Sequence, residues 1–148
     1  REMLPNPYKF NGRRDFLVNN ILSVLKDKQI LIDDAASRLN EGIIVTQPYV
    51  FVKGSVTARS QLSRYAVLPG YDSVWSRGRY TLTIEVQPID GTQNNVSVLA
   101  KIEGRQESGV FSEWTTLQSN GALEDEFLAK LIEYATGVTP EPIVTRTP

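Results

Sequence analysis

The strongest chemical signal in the sequence is a cluster of seven residues, Arg59, Arg64, Tyr65, Tyr71, Trp75, Arg77 and Arg79. Arg beside Tyr and Trp is the composition of protein-binding hot spots, because aromatic rings bring contact area at low rotamer cost and guanidinium groups add directional hydrogen bonds. The same mixture suits single-stranded nucleic acid, by base stacking and phosphate contact. It is equally the composition of a long loop whose aromatics pack inward while arginine stems cover apolar surface. All three readings stay open at this point. In the first, Tyr65, Tyr71 and Trp75 anchor the segment on the domain, and Arg59, Arg64 and Arg79 face a partner.

The acidic groups argue less. Asp33 and Asp34 are neighbours in an extended stretch and point to opposite faces, so they make a poor acid–base pair and read as a solvated strand end. Glu124, Asp125 and Glu126 have no calcium-loop spacing around them and suit the exposed amides at a helix start. Gly104, Gly109 and the Arg77-Gly78-Arg79 step are scattered and form no phosphate cradle.

Composition excludes much of the rest. The 148 residues contain no Cys and no His, which removes thiol nucleophiles, disulfides, His-based triads and the usual zinc sites. A serine hydrolase would need a Ser–Lys arrangement, and none of the six lysines stands in a nucleophile-elbow context. We expect no enzyme, no cofactor and no metal. Sixteen basic against seventeen acidic residues leave a net charge of −1, so there is no global electrostatic case for nucleic acid. No apolar run approaches the ~18 residues of a spanning helix.

The elements that must position these residues are legible from periodicity. Leu17, Val18, Ile21, Leu22 and Leu25 recur at three- and four-residue steps and predict a helix over 13–28. A strand is predicted over 29–34 and another over 43–46, with Pro48 marking an edge or a bulge. Leu82, Ile84 and Val86 alternate with polar residues, Val96, Val98, Ala100 and Ile102 answer them, and 110–117 supplies a third strand of an antiparallel meander. Leu123, Phe127, Leu128, Leu131 and Ile132 stripe a last helix that Gly137 stops. The expected fold is α+β: a two-layer sandwich in which an antiparallel sheet carries two helices on one face, in the order β-α-β-β-β-β-β-α. The core is expected from Leu22, Leu25, Ile32, Val45, Leu82, Ile84, Val98, Ile102, Phe127 and Leu131. Residues 8–137 form the single domain, and the proline-punctuated ends, 1–7 and 138–148, read as extended connectors. The connection 53–76 is too long merely to join two strands, which points to function there.

A helix and an acid-ended strand read Leu25-Lys26-Asp27-Lys28-Gln29-Ile30-Leu31-Ile32-Asp33, followed by Glu41-Gly42-Ile43-Ile44-Val45-Thr46. An Arg-led strand reads Arg77-Gly78-Arg79-Tyr80-Thr81-Leu82-Thr83-Ile84, and Trp114-Thr115-Thr116-Leu117-Gln118-Ser119-Asn120-Gly121-Ala122-Leu123-Glu124 leads into the final helix. Together these three phrases span most of 8–136, and in this order they resemble the NlpB-type outer-membrane assembly lipoprotein family (BamC-like domains). The resemblance implies a helix-grip-like domain of a periplasmic, outer-membrane-anchored lipoprotein that acts through protein contacts, with no catalytic residue. The resemblance implies a lipid-bearing cysteine upstream of Arg1, where any targeting segment would also lie. The 53–76 segment departs from the family's simpler hairpin. The implied partner is a protein of the cell envelope, with no nucleic acid and with membrane contact only through the lipid. The alternative is a small apolar-ligand binder that uses the space between a curved sheet and the last helix.

Overall fold

In a computed structural model, residues 1–70, 74–107 and 113–143 are described. Among the described residues, strands and α-helices follow one another as β1 Tyr8–Asn11, α1 Arg14–Asp27, β2 Ile43–Val45, β3 Tyr49–Val52, α2 Ala58–Ser63, β4 Ala66–Val67, β5 Trp75–Pro88, β6 Gln93–Gln106, β7 Trp114–Ser119 and α3 Ala122–Thr136, with a short 3-10 helix at Leu39–Glu41 before β2. The strands form one antiparallel sheet in the order β2-β5-β6-β7-β4, with β3 continuing beside β5 and β1 beside β6. The domain is a two-layer α+β sandwich.

The long β5–β6 hairpin is the spine of the sheet. Its partners run in unbroken register from Arg77↔Arg105 to Pro88↔Asn94, including Leu82↔Ala100 and Ile84↔Val98. From Gly78 to Val86 in β5 and from Asn94 to Gly104 in β6, even-numbered residues are buried on the helix side of the sheet and odd-numbered ones face the other way. From the helices, Leu17, Ile21, Leu25, Phe127, Leu128 and Leu131 enter the same core at no more than 1% exposure. Burying each such side chain contributes roughly 1.5–3 kcal/mol against the entropy of ordering the chain.

Breaks in the sequence pattern become breaks in the fold. Pro48 separates β2 from β3, and both remain an edge of the sheet beside β5. α1 ends where Gln29 takes a left-handed backbone (φ 60°), and Gly137 (φ 75°) ends α3 in the same way. Residues 1–7, expected as a connector, are tied down. The Asn6 side chain fills the gap between β1 and β7 by donating to the Val98 carbonyl (2.7 Å) and accepting from the Val98 amide (3.0 Å). The Leu4 amide and the Arg1 guanidinium both bind Asp125, at 2.7 Å and 2.9 Å.

Four expectations are corrected. Residues 29–34 form no strand: a single bridge joins Ile32 to Thr46, because the left-handed Gln29 turns the chain and leaves only that point in reach. The element order therefore loses one strand there and gains β3, α2 and β4. Ile44, not Val45, is the buried residue of β2, since its register places Ile44 opposite Ile84. Leu22 and Ile32 are half-buried at the edge of the core. The connection 53–76 is not one loop: it holds a short helix and a short strand. Residues 110–112, expected at the start of the third meander strand, lie outside the described residues.

Candidate interaction surface

Two glycines decide how the 53–76 segment lies on the sheet. At Gly78 of β5, a Cβ would stand 2.7 Å from Leu62 Cδ2 of α2 and 2.9 Å from Val52 Cγ2. The missing side chain lets α2 approach the strand, with Ala58 and Leu62 fully buried beneath it. At Gly104 of β6, a Cβ would stand 2.7 Å from Trp75 Cζ3. A bulge between Trp75 and Arg77 shifts the phase of β5 and turns the indole onto the helix-facing side, where it is 2% exposed. These glycines, which carry no phosphate-binding pattern, are seats for Leu62 and Trp75.

The six residues singled out in the sequence separate into distinct places. Trp75 and Tyr65 are buried and hold the segment down. Tyr65 joins an aromatic group with Phe51 (5.4 Å between centroids) and Tyr80 (6.3 Å), and Tyr49 stacks on the far side of Tyr80 at 5.3 Å. The Tyr65 hydroxyl donates to Glu126 Oε2 of α3 at 2.7 Å, and Arg64 Nη2 donates to Oε1 of the same carboxylate at 2.6 Å. The Arg64 guanidinium also lies over the Tyr65 ring, 5.1 Å from its centroid. Arg59 donates to the Gly70 carbonyl at 3.0 Å. Tyr71 lies outside the described residues.

Arg79 is on the other face of the sheet. Its Nε and Nη2 bind the two oxygens of Glu103 at 3.0 Å and 3.3 Å, and its guanidinium stacks 4.1 Å from the centroid of Trp114. Arg77 is exposed on that same outward side, directly opposite Arg105. The structure thus brings Arg64 and Tyr65 together on the helix side, adds Glu126 and Phe51 to them, and keeps Arg79 apart.

Electrostatics follow from these contacts. Burial raises the Tyr65 phenol well above its ordinary value, and the hydrogen bond to Glu126 and its charge raise it further. The Tyr80 phenol is raised chiefly by burial. The hydrogen bond from Arg64 to Glu126, and the charge of that carboxylate, raise the guanidinium still higher, so that it stays charged. Of the three consecutive acids of α3, each has its own partner: Glu124 accepts from Ser119 Oγ at 2.9 Å, Asp125 from Arg1, and Glu126 from Arg64 and Tyr65. Burial by itself would lift the Asp125 carboxyl, but Arg1 and the Leu4 amide outweigh it and hold the carboxyl below the usual range. Asp33 accepts from the Ala36 amide at 3.1 Å and caps a turn.

The accessible part of the helix-side site is a shallow cleft of 140 Å³ bordered by Phe51, Gln61, Arg64 and Tyr65. Among the described residues, no group of three or more acidic side chains is placed to hold a metal ion. The roles of Glu126 and Phe51 were not legible beforehand, because each lies far along the chain from Arg64 and only the tertiary fold joins them. Comparison with family models and with curated proteins finds no match to this chain.

Proposed function

We propose that this chain is a non-enzymatic protein-interaction module: a periplasmic domain of an outer-membrane-anchored lipoprotein that works in envelope assembly. The observation that carries the reading is where the apolar groups have gone. The space between sheet and helices, where a helix-grip ligand would sit, is filled by Leu82, Ile84, Ile102, Phe127, Leu128 and Leu131, each at no more than 1% exposure. Two clefts border Arg64: one of 140 Å³ beside Phe51 and Tyr65, and an open one of 610 Å³ on the outer side of α3. The second is lined largely by charged groups such as Arg1, Lys28, Asp125, Glu126 and Lys130, and neither is an enclosed apolar space between sheet and helices. This weighs against the small apolar-ligand binder and leaves surface recognition.

The surface has the parts that recognition needs. Buried Tyr65 and Trp75 fix the segment, while Arg64 remains 64% exposed by side chain beside exposed Gln61 and half-buried Phe51. An acidic or carbonyl-rich partner segment can share the Arg64 guanidinium with Glu126. The envelope location rests on the resemblance of three sequence phrases. No helix among the described residues is long and apolar enough to cross a membrane.

The test is capture of partners from the detergent-solubilised envelope of the source cell. An Arg59→Ala/Arg64→Ala variant should keep its unfolding midpoint and lose at least about five-fold of any captured partner. Arg79→Ala, on the opposite face, should retain it. Equal capture by the double variant, or no specific capture by the unmodified domain, overturns the proposal.

A further inference from the structure

One side chain, Asn120 in the turn between β7 and α3, joins the candidate surface to the last helix. Its Nδ2 donates to the carbonyls of Ser63 (3.3 Å) and Arg64 (3.0 Å) at the end of α2. Its Oδ1 accepts from the Ala122 amide (2.9 Å) at the start of α3. The orientation of the carboxamide is fixed, because the two carbonyls can only accept. The Asn120 backbone amide adds a bond to the Tyr65 carbonyl at 3.0 Å. The last carbonyls of a helix and the first amides of the next have no partners within their helices, and here one carboxamide serves both. α2 buries only Ala58 and Leu62, so a clasp at its end decides where Arg64 and Tyr65 stand.

The residue after Asn120 is Gly121. Asn-Gly pairs are prone to deamidation, because glycine has no side chain to keep its amide nitrogen away from the preceding carboxamide carbon. That nitrogen bonds to the carbon, the bond from the carbon to Nδ2 breaks and ammonia leaves. Water then opens the cyclic imide to aspartate or isoaspartate. Both products lack the Nδ2 donor. Aspartate keeps the acceptor for the Ala122 amide and adds a negative charge that suits a helix start, but it sets that charge against two carbonyl oxygens of α2. The change to aspartate therefore loosens α2 and leaves α3 capped.

A second Asn-Gly pair, Asn11-Gly12, is held differently. The Gly12 amide donates to the Thr92 carbonyl at 2.8 Å, a backbone bond that continues the pairing of β1 with β6. The Gly121 amide donates to Ser119 Oγ at 3.0 Å, a side-chain bond that one χ1 rotation releases, and Asn120 is exposed. We propose that Asn120 is a deamidation site that acts as a switch on α2. The intact carboxamide holds the Arg64–Tyr65 end of α2 on α3, and its conversion to an acid releases that end. Regulation of partner contact by this switch rests on the Arg64 reading above; the clasp and its chemistry do not.

The test has two parts, and neither uses a partner, so the clasp stands or falls apart from the Arg64 contact. First, the folded domain is aged at mildly alkaline pH and its tryptic peptides are sequenced by mass spectrometry. Peptide 106–130, in which Asn120 is the only asparagine, should gain an acid at position 120 several-fold faster than peptide 10–13 gains one at Asn11. The difference should shrink when the chain is aged in urea. Second, amide hydrogen exchange compares two variants at this exposed position. Asn120→Asp should speed exchange at Gln61, Leu62 and Tyr65 at least about five-fold, the factor carried by one lost hydrogen bond, while the Ala122 amide stays protected. Asn120→Ala, which removes donor and acceptor together, should speed Ala122 as well. Reaction at Asn11 as fast as at Asn120, unchanged exchange in α2 of Asn120→Asp, or equal loss at Ala122 in both variants overturns the proposal.

Discussion

Gly104→Ala is the sharpest probe of how the 53–76 segment is anchored. The added methyl would stand 2.7 Å and 2.8 Å from Trp75 Cζ3 and Cε3, and 3.1 Å from Leu117 Cδ1. Contact distances for carbon are about 3.5–4.0 Å, so the indole must retreat by most of an ångström. It is a rigid ring at 2% exposure and has no free space to take. Overpacking of this kind costs about 1–3 kcal/mol, against about 0.5–1 kcal/mol that alanine gains over glycine in backbone entropy. The net loss should be about 1 kcal/mol, the difference between the middles of those two ranges. Urea titration followed by far-UV circular dichroism measures it, with the slope unchanged because the surface exposed on unfolding is the same. Near-UV dichroism should change with it as the indole shifts. Gly54→Ala is the control: nothing lies within 4 Å of its Cβ position, and its stability should stay within about 0.5 kcal/mol of the parent. If Gly104→Ala proves as stable as the parent, the indole is not seated on β6 and the anchoring argument fails.

Three further outcomes follow from the packing and the charges. Leu131→Ala, at full burial between α3 and the sheet, should cost about 2–5 kcal/mol in denaturant titration, and a loss under about half a kcal/mol would mean that α3 does not pack as described. Tyr65 and Tyr80 have phenol values raised above the ordinary 10.0, so the stability they contribute is complete below pH 10 and is lost as pH rises beyond it. Denaturation midpoints measured from pH 8 upward should fall above about 10, less steeply in Tyr65→Phe, and a flat profile would contradict the burial of these hydroxyls. Asp125 is held below its ordinary value, so its contribution is present above about pH 4 and lost as pH falls. Asp125→Asn should remove that acid-side slope and cost about 1.5–3 kcal/mol at neutral pH, read from the same titrations.

What could be read in the sequence follows from the length and regularity of each pattern. β5 alternates regularly from Gly78 to Val86 and β6 from Asn94 to Ile102, so Leu82, Ile84, Val98 and Ile102 were placed on the buried face correctly. The stripes of α1 and α3 were equally plain. Ile43-Ile44-Val45 is apolar throughout and has no phase of its own; the pairing of Ile44 with Ile84 sets it from outside. α2 has six residues and buries only Ala58 and Leu62, too little to display a helical period. Ile30-Leu31-Ile32 is likewise an apolar run that reads as a strand, yet it follows the left-handed Gln29 and pairs only through the Ile32–Thr46 bridge. In the interaction surface, the aromatic anchors Tyr65 and Trp75 were legible by type. The separation of Arg79 from Arg64 depends on strand phase and a bulge, and the Glu126 carboxylate reaches Arg64 only through the docking of α2 against α3.

The central claim is that the α2 side of this domain is the contact surface for an envelope protein. Site-specific photo-crosslinking in the source cell tests it most directly, with the photoreactive group placed at exposed Gln61 beside Arg64, or at exposed Asn19 on α1 as the comparison. The account predicts a discrete crosslinked envelope protein from position 61, diminished when Arg64→Ala is added, and none from position 19. No crosslink at 61, or the same product from both positions, would contradict it.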